Sequence, residues 1–324
     1  MLQVYNSQHF TIKGSPLLVA LFVFFLAPSS HAQQNPLITQ YMFTNFFFNP
    51  GAAGSSGGIC ATGLFREQWL GFKDTDGNKI GPQTFFLTVD SPIKVLHGAV
   101  GGSVFQDKIG FLKVIGVKVG YAFIFGLGPG DFSIGVQLGF QNPKIDFTKF
   151  KPVDADDQLL QGKGTESDMM FDLAAGLYYR IPDKFYAGLS SDQLLESQGK
   201  STNYQLRRHY YLTSGYQWSI PGHPAFELQP SLLLMFDGAA FQFNLSALVE
   251  YNNKFYGGLA YRIQDAVSIL AGVNFKGFRI GAAYDICTSS LSKANSGSIE
   301  VMLSYCFKID TDKYRKSYHN TRFL

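Results

Sequence analysis

From Phe241 to Phe307 the chain alternates. In Phe241-Gln-Phe243-Asn-Leu245-Ser-Ala247-Leu-Val249-Glu-Tyr251, one parity is apolar or aromatic throughout and the other is mostly polar. This predicts a strand with one greasy face and one wet face. After the turn residues Asn252-Asn253 the pattern restarts over Lys254–Arg262. It recurs over Val267–Phe275, after the Lys276-Gly277 turn over Phe278–Ile286, and finally over Ser298–Phe307. Five hairpin-linked strands follow, each about nine to eleven residues long, against a usual five or six; that length suits a tilted strand crossing a bilayer. Aromatic residues stand at the strand ends: Tyr251, Phe255, Tyr261, Phe275, Phe278, Tyr284, Tyr305 and Phe307. An interfacial girdle has this form. A soluble β-sandwich or lipocalin-like barrel is the plainer alternative. Strand length, strand number and the leader described below argue against it.

Earlier strands are predicted at Ile59–Trp69, Gln83–Asp90, Gly98–Asp107, Val114–Phe125, Asp131–Gln141, Phe171–Arg180, Lys184–Ser190, His209–Trp218 and Ala225–Phe236. In Asp131–Gln141, Phe132, Ile134, Val136, Leu138 and Phe140 share one face, and Ser133, Gly135, Gln137 and Gly139 share the other. With the five above, the expected fold is all-β: a transmembrane antiparallel β-barrel of about 14 strands over residues 58–307, an even number with both ends on one side. Links after even-numbered strands are mostly short: 126–130, 181–183, Asn252-Asn253 and Lys276-Gly277. Links after odd-numbered strands include the longest: 70–82, 142–170, 191–208 and 287–297. Periplasmic turns of such barrels are short and external loops longer, which assigns the long set to the cell surface. The 142–170 loop carries Asp154-Ala-Asp-Asp157 and little apolar material, so it is expected to be mobile.

Before the first strand stand one basic residue, Lys13, the apolar run Leu17–Leu26, and Pro28-Ser-Ser-His-Ala32. This is the pattern of a secretory signal peptide over residues 1–32, with cleavage expected after Ala32. The apolar run is too short to span as a helix, and no later stretch reaches the roughly eighteen residues required. An exported chain with no spanning helix and many alternating strands is expected in a cell outer membrane, in contact with its lipid. Residues 33–57 carry Tyr41, Phe43, Phe46, Phe47 and Phe48, then the turn-rich, flexible Asn49-Pro-Gly-Ala-Ala-Gly54. So apolar a segment is expected to pack in or under the barrel. Residues 308–324 form a charged and polar tail, expected on the periplasmic side.

Composition narrows the function. Of 27 lysines and arginines and 24 aspartates and glutamates, the leader holds only Lys13, so the mature chain carries a formal charge of +2. That balance predicts no nucleic-acid partner. The three cysteines, Cys60, Cys287 and Cys306, allow at most one internal disulfide. Parity puts Cys60 and Cys306 on the lumen side at one rim. Two unbonded buried thiols are expected there, with a bridge as the alternative.

Reactive chemistry is sparse. The mature histidines His97, His209, His223 and His319 are isolated, with no metal-site spacing. Asp74-Thr-Asp76-Gly-Asn78 begins like a calcium loop, but Lys79 and Phe85 stand where glycine and a bidentate glutamate are needed. Gly199-Lys200-Ser201 imitates the end of a phosphate loop, yet Leu194 replaces the leading glycine and a strand follows. No catalytic residues, metal or cofactor are expected. The polar parity does collect charges: Arg66, Lys118, Glu250, Arg262, Arg279, Asp285 and Glu300. They form either a network that fills and rigidifies the lumen or a wall that binds a polypeptide or conducts solute.

An ordered series of motifs along the mature chain resembles the PorP/SprF family of outer-membrane proteins, associated with the type IX secretion system and gliding motility of Bacteroidota. The series begins with Tyr41-Met42, Asn49-Pro50 and Ala53-Gly54, then Arg66-Glu-Gln-Trp69 with Gly71-Phe72, Gln83-Thr84, Asp90-Ser-Pro92 and Asp107-Lys-Ile-Gly110. It continues through Phe185-Tyr-Ala-Gly-Leu-Ser190, His209-Tyr-Tyr-Leu212, Lys254-Phe-Tyr-Gly-Gly-Leu259 with Tyr261-Arg262, Ile280 with Tyr284-Asp285, and Met302-Leu-Ser-Tyr305. The chain departs from the family pattern at Gly51-Ala52, where a bulkier pair is common, and at Cys306, where an acid is frequent. The resemblance implies a non-enzymatic barrel that helps secrete or anchor large surface proteins carrying a C-terminal sorting domain, and that contacts periplasmic secretion and motility subunits. A diffusion channel or uptake porin is the alternative. A third, an outer-membrane lipase, lacks any supporting spacing.

Overall fold

The computed structural model describes residues 35–150 and 164–308. The expected leader, the Asp154–Asp157 run and the tail after Lys308 lie outside the described residues. Sixteen strand segments form one antiparallel sheet. Two are short: Thr165–Ser167 extends the edge of a neighbour, and Trp218–Ser219 pairs with the strand after it. The other fourteen are β1 Gly58–Glu67, β2 Gln83–Ile93, β3 Gly98–Ile109, β4 Leu112–Leu127, β5 Gly130–Asp146, β6 Met170–Ile181, β7 Phe185–Asp192, β8 His209–Tyr216, β9 Phe226–Phe236, β10 Phe241–Tyr251, β11 Phe255–Arg262, β12 Ala266–Phe275, β13 Phe278–Cys287 and β14 Ser298–Lys308. Each pairs with the next, and β14 pairs with β1, from Gly58 opposite Lys308 to Glu67 opposite Ile299. The sheet therefore closes and leaves no free edge among these strands.

The alternation is inside out relative to a soluble barrel. On β5, Val136 is 57% exposed, while Gln137 beside it is 3% exposed. The same inversion runs around the wall, and only an apolar surrounding medium makes it favourable. No helix among the described residues is long and apolar enough to cross a membrane, so the strands do the crossing. Tyr251, Phe255, Phe275, Phe278, Tyr305 and Phe307 face outward at one end of the wall, with Phe226–Tyr251 and Phe278–Tyr305 rings 4.9 and 4.5 Å apart. Tyr261 and Tyr284 face outward toward the other. Amphipathic rings at both borders anchor the barrel to the two interfaces of an outer membrane.

Strand ends differ from the sequence expectations where turn geometry intervenes. β1 stops at Glu67 rather than Trp69, because Trp69 takes a φ of 56° and turns the chain away. The loop expected over 142–170 is shorter, since residues 142–146 continue β5 and Thr165–Ser167 pair back onto it. The long links still fall after odd-numbered strands, which fixes the external end of the barrel.

Candidate functional site

The lumen is filled by the residues that precede β1. Three short turns carry them: Tyr41–Phe43, Asn45–Phe48 and Pro50–Ala52. Ile38, Tyr41, Phe46 and Phe48 are buried, each worth about 1.5–3 kcal/mol of apolar transfer. Phe47 stacks on Phe86 of β2 at 4.5 Å and meets Phe105 of β3 edge-on at 6.1 Å. The aromatic cluster legible in the sequence is thus the body of a plug, packed inside the wall and away from lipid.

At the external half of the lumen the plug meets charge. Arg66 of β1 donates from Nη2 to Asp285 Oδ2 at 2.6 Å and from Nη1 to Glu300 Oε2 at 3.2 Å. Glu300 also accepts the backbone N–H groups of Thr39 and Gln40 at 2.9 and 2.8 Å. The Thr39 hydroxyl donates to Asp285 Oδ1 at 2.9 Å and accepts from Arg66 Nη1 and Arg262 Nη2, each at 3.0 Å. Arg262 further reaches Asn244 Oδ1 at 2.8 Å and Asp265 Oδ2 at 2.7 Å. Four of the seven charges on the polar parity therefore converge on one plug residue. All four are nearly free of solvent, where paired charges hold and unpaired ones are expelled.

The remaining three lie elsewhere. Lys118 of β4 pairs with Asp192 at the end of β7. Arg279 lies 3.8 Å from Glu250, donates to Asn274 Oδ1 at 2.8 Å and sits 4.4 Å over the Phe43 ring, a cation–π contact with the plug. Periodicity flagged the charged strand residues, but it passed over Thr39, Asp192, Asn244 and Asp265. The first sits outside any strand pattern, and the others read as ordinary polar or strand-end positions.

Toward the short-turn end the plug's bonds are mostly to neutral groups, with the Asp90 carboxylate the exception. Asn49 donates from Nδ2 to Leu177 O at 2.9 Å and accepts Gly51 N–H at 2.8 Å. Ser133 and Ser190 donate to the carbonyls of Gly51 and Phe48 at 2.8 and 2.7 Å, and Asp90 accepts Gly54 N–H at 2.8 Å. The backbone comes this close because two wall positions lack side chains. A Cβ on Gly176 would lie 2.1 Å from Asn49 Oδ1, and one on Gly135 would lie 2.3 Å from Gly51 N. The segment expected to be flexible, Asn49–Gly54, is instead buried and bonded along its length. The family-motif residues Asn49, Pro50, Ala53 and Gly54 are its contact points. The small pair Gly51-Ala52 fits this close seat.

Cys60 and Cys306 face each other directly in the β1–β14 register and are joined in a disulfide, with Cα atoms 4.1 Å apart. This overturns the expectation of two unbonded thiols. The bridge is possible because closure pairs the first strand with the last, which cysteine spacing alone does not reveal. Beneath the plug, a cavity of about 770 Å³ opens at the short-turn end. Its wall includes Asp90, Glu227 and Glu250, its rim Asp183 and Lys276 from the short turns, and its floor Phe43 of the plug.

The external side is folded in. Leu206 in the 193–208 connection is fully buried, and Tyr204 packs against the plug's apolar cluster. The Gly199-Lys200-Ser201 stretch does form an anion nest, filled by the chain itself: Asp168 accepts N–H groups of Lys200, Ser201 and Thr202 at 3.1, 3.1 and 2.7 Å, and the Thr202 hydroxyl at 2.5 Å. These bonds, the Thr202 hydroxyl foremost, hold the Asp168 carboxyl down at about 2. Asp74 is likewise satisfied locally, accepting Asp76 and Asn78 N–H groups at 3.0 and 2.8 Å. No group of three or more His, Cys, Asp or Glu residues able to hold a metal occurs among the described residues.

A profile of the family described as type IX secretion system membrane protein PorP/SprF matches residues 30–305. Among solved structures, the chain is similar to the outer membrane protein Omp33 of Acinetobacter baumannii, at 10% identity and a TM-score of 0.45, over 77% of this chain and 98% of that one. It is similar to a FadL homologue of Pseudomonas aeruginosa at 12% identity and 0.45, over 80% and 93%. It is also similar to the toluene transporter TodX of Pseudomonas putida at 10% identity and 0.48, over 82% and 93%. No curated protein matches the chain.

Proposed function

Because the chain belongs to the PorP/SprF family of type IX secretion system membrane proteins, we propose that it is a non-enzymatic outer-membrane scaffold that helps secrete or anchor particular surface proteins. The cargo class is a large secreted protein with a C-terminal sorting domain, engaged by the external loops and rim. The face toward the periplasm meets secretion and motility subunits. One observation carries this reading beyond family membership: the lumen is occupied by the chain's own residues 35–57, anchored at both ends. A solute pathway would have to displace buried aromatics and a buried ion cluster, whereas a scaffold needs only its two rims. The cavity beneath the plug, wide at the short-turn end and lined by acids and aromatics, gives a periplasmic partner a concave surface to enter.

The test is a mild-detergent pull-down of the tagged full-length protein from its native outer membrane, with bound proteins identified by mass spectrometry, alongside conductance in planar bilayers. Recovery of a sorting-domain protein or periplasmic secretion subunits, with bilayers staying silent, is the expected result. Steady conductance by the wild-type protein with no co-purifying partner overturns the proposal in favour of a diffusion channel.

A further inference from the structure

At the external ends of β3, β4 and β5, three lysines stand side by side. Lys108 is directly opposite Lys113, and Lys113 is directly opposite Lys144. All three fall on the lipid-facing parity, shared with the exposed Val104, Ile115, Val117 and Phe140. Like charges directly across a strand pair repel, and none of the three has an ion-pair partner among the described residues. Lys149 stands beside them, 3.5 Å from Asp146. An arrangement of this kind is stable where an anion shares it.

The level of the row on the wall points to the anion's source. Two residues further down the same strands lie Gln106, Ile115 and Asn142; two further still, Val104, Val117 and Phe140 begin the apolar band. The lysines thus sit about two to four strand residues above the hydrocarbon border, at headgroup level. They line a concavity of about 420 Å³ whose apolar part is Phe111, Leu112 and Ile115. The Phe111 ring is itself braced by Phe150 at 5.3 Å. Phe111 and Leu112 flank the row at the turn, while cations at this level with Ile115 and the apolar band below them match an amphiphile with phosphate at its head and acyl chains beneath.

We propose that this patch binds the phosphorylated saccharide headgroup of an outer-leaflet glycolipid of the lipid A type, with Lys108, Lys113 and Lys144 on the phosphate and Ile115 against the first acyl carbons. It is independent of cargo and of the plug, and fixes which flank of the barrel carries tightly held lipid.

The experiment is native mass spectrometry of the full-length protein in detergent, titrated with bis-phosphorylated lipid A, with dephosphorylated lipid A of the same acyl chains, and with inorganic phosphate. Wild type is expected to retain one phosphorylated lipid. Lys108→Gln/Lys113→Gln/Lys144→Gln is expected to bind it about a hundredfold more weakly, from roughly a fivefold step per lost charge. Lys184→Gln/Lys254→Gln/Lys293→Gln, with the same change in net charge, is expected to bind like wild type. Equal retention of dephosphorylated lipid A by wild type overturns the proposal, because the contact would then be apolar only. Equal binding by the two triple variants overturns it as non-specific attraction. Displacement of the lipid by millimolar inorganic phosphate alone overturns the lipid assignment in favour of a small-anion site.

Discussion

At its external end the plug meets two arginines and two acids from β1, β11, β13 and β14; at the short-turn end it meets mostly neutral groups, the glycines, serines and backbone carbonyls of β5, β6 and β7, with Asp90 of β2 on the Gly54 N–H. Both ends are buried, yet they hold by different physics. The charged end is strong only while complete, because each buried ion relies on its partners for the solvation it gave up. The neutral end relies on shape, since Asn49 and Gly51 occupy space that wall side chains would otherwise fill. The plug is thus fixed by charge complementarity where the external loops close over it and by steric fit where it borders the open cavity.

The sharpest way to break that asymmetry is Glu300→Ala. It leaves Arg66 with Asp285 as its one remaining acid and removes the acceptor of two plug N–H groups, with an expected loss of about 3–5 kcal/mol. Hydrogen exchange should report this as lost protection over residues 35–43, and planar bilayers should show new conductance if the plug leaves. Adding Arg66→Met to a Glu300→Met background should recover part of the loss, since two buried arginines then no longer share Asp285, which keeps Arg262. Unchanged exchange in Glu300→Ala would mean that the ion cluster does not hold the plug.

Next in size is the seam. Reducing the Cys60–Cys306 bridge, or replacing Cys60 with Ala, removes a link across 246 residues and is expected to cost about 2–4 kcal/mol. Heat-dependent electrophoretic mobility of the barrel should shift to lower temperature under reductant, and not in the variant, where nothing remains to reduce. At the neutral end, Gly176→Ala forces a methyl against Asn49 and is expected to cost about 1–3 kcal/mol. Exchange over residues 49–54 should rise while residues 38–40 stay protected. Equal loosening of both ends would show that they are not separately held.

The smallest effect concerns the external loops and depends on pH. The Asp168 carboxyl is lowered from 3.8 to about 2 by its four donors. Its contribution is therefore complete above the unfolded value and is lost as pH falls through the folded one. The Asp168 contact with residues 200–202 should hold at pH 4 and above and weaken between about 4 and 2. In Asp168→Asn, exchange of the Lys200, Ser201 and Thr202 amides should be faster at neutral pH and lose that acid step.

How much of this was legible in the chain follows from which contacts are local. Strand parity is local: Val136 and Gln137 differ by one position, and membrane and lumen read them separately. The all-β barrel, its strand count, the lumen side of Arg66 or Glu300 and the sorting of long loops all follow from that period. The pairing of those charges is not local. Arg66, Arg262, Asp285 and Glu300 come from four strands, and no spacing says that they meet at Thr39. The same holds for the Lys108, Lys113 and Lys144 row, which net charge hides because register creates it.

The sequence by itself determined that each strand has a lipid face and a lumen face, because a two-residue period and an apolar medium leave no other stable placement. Only the tertiary structure decided what stands in the lumen and what touches it. Closing β14 onto β1 places Cys60 against Cys306 and sets four distant charges around one threonine. These contacts depend on register and on the plug's path, quantities that hydrophobic alternation does not encode.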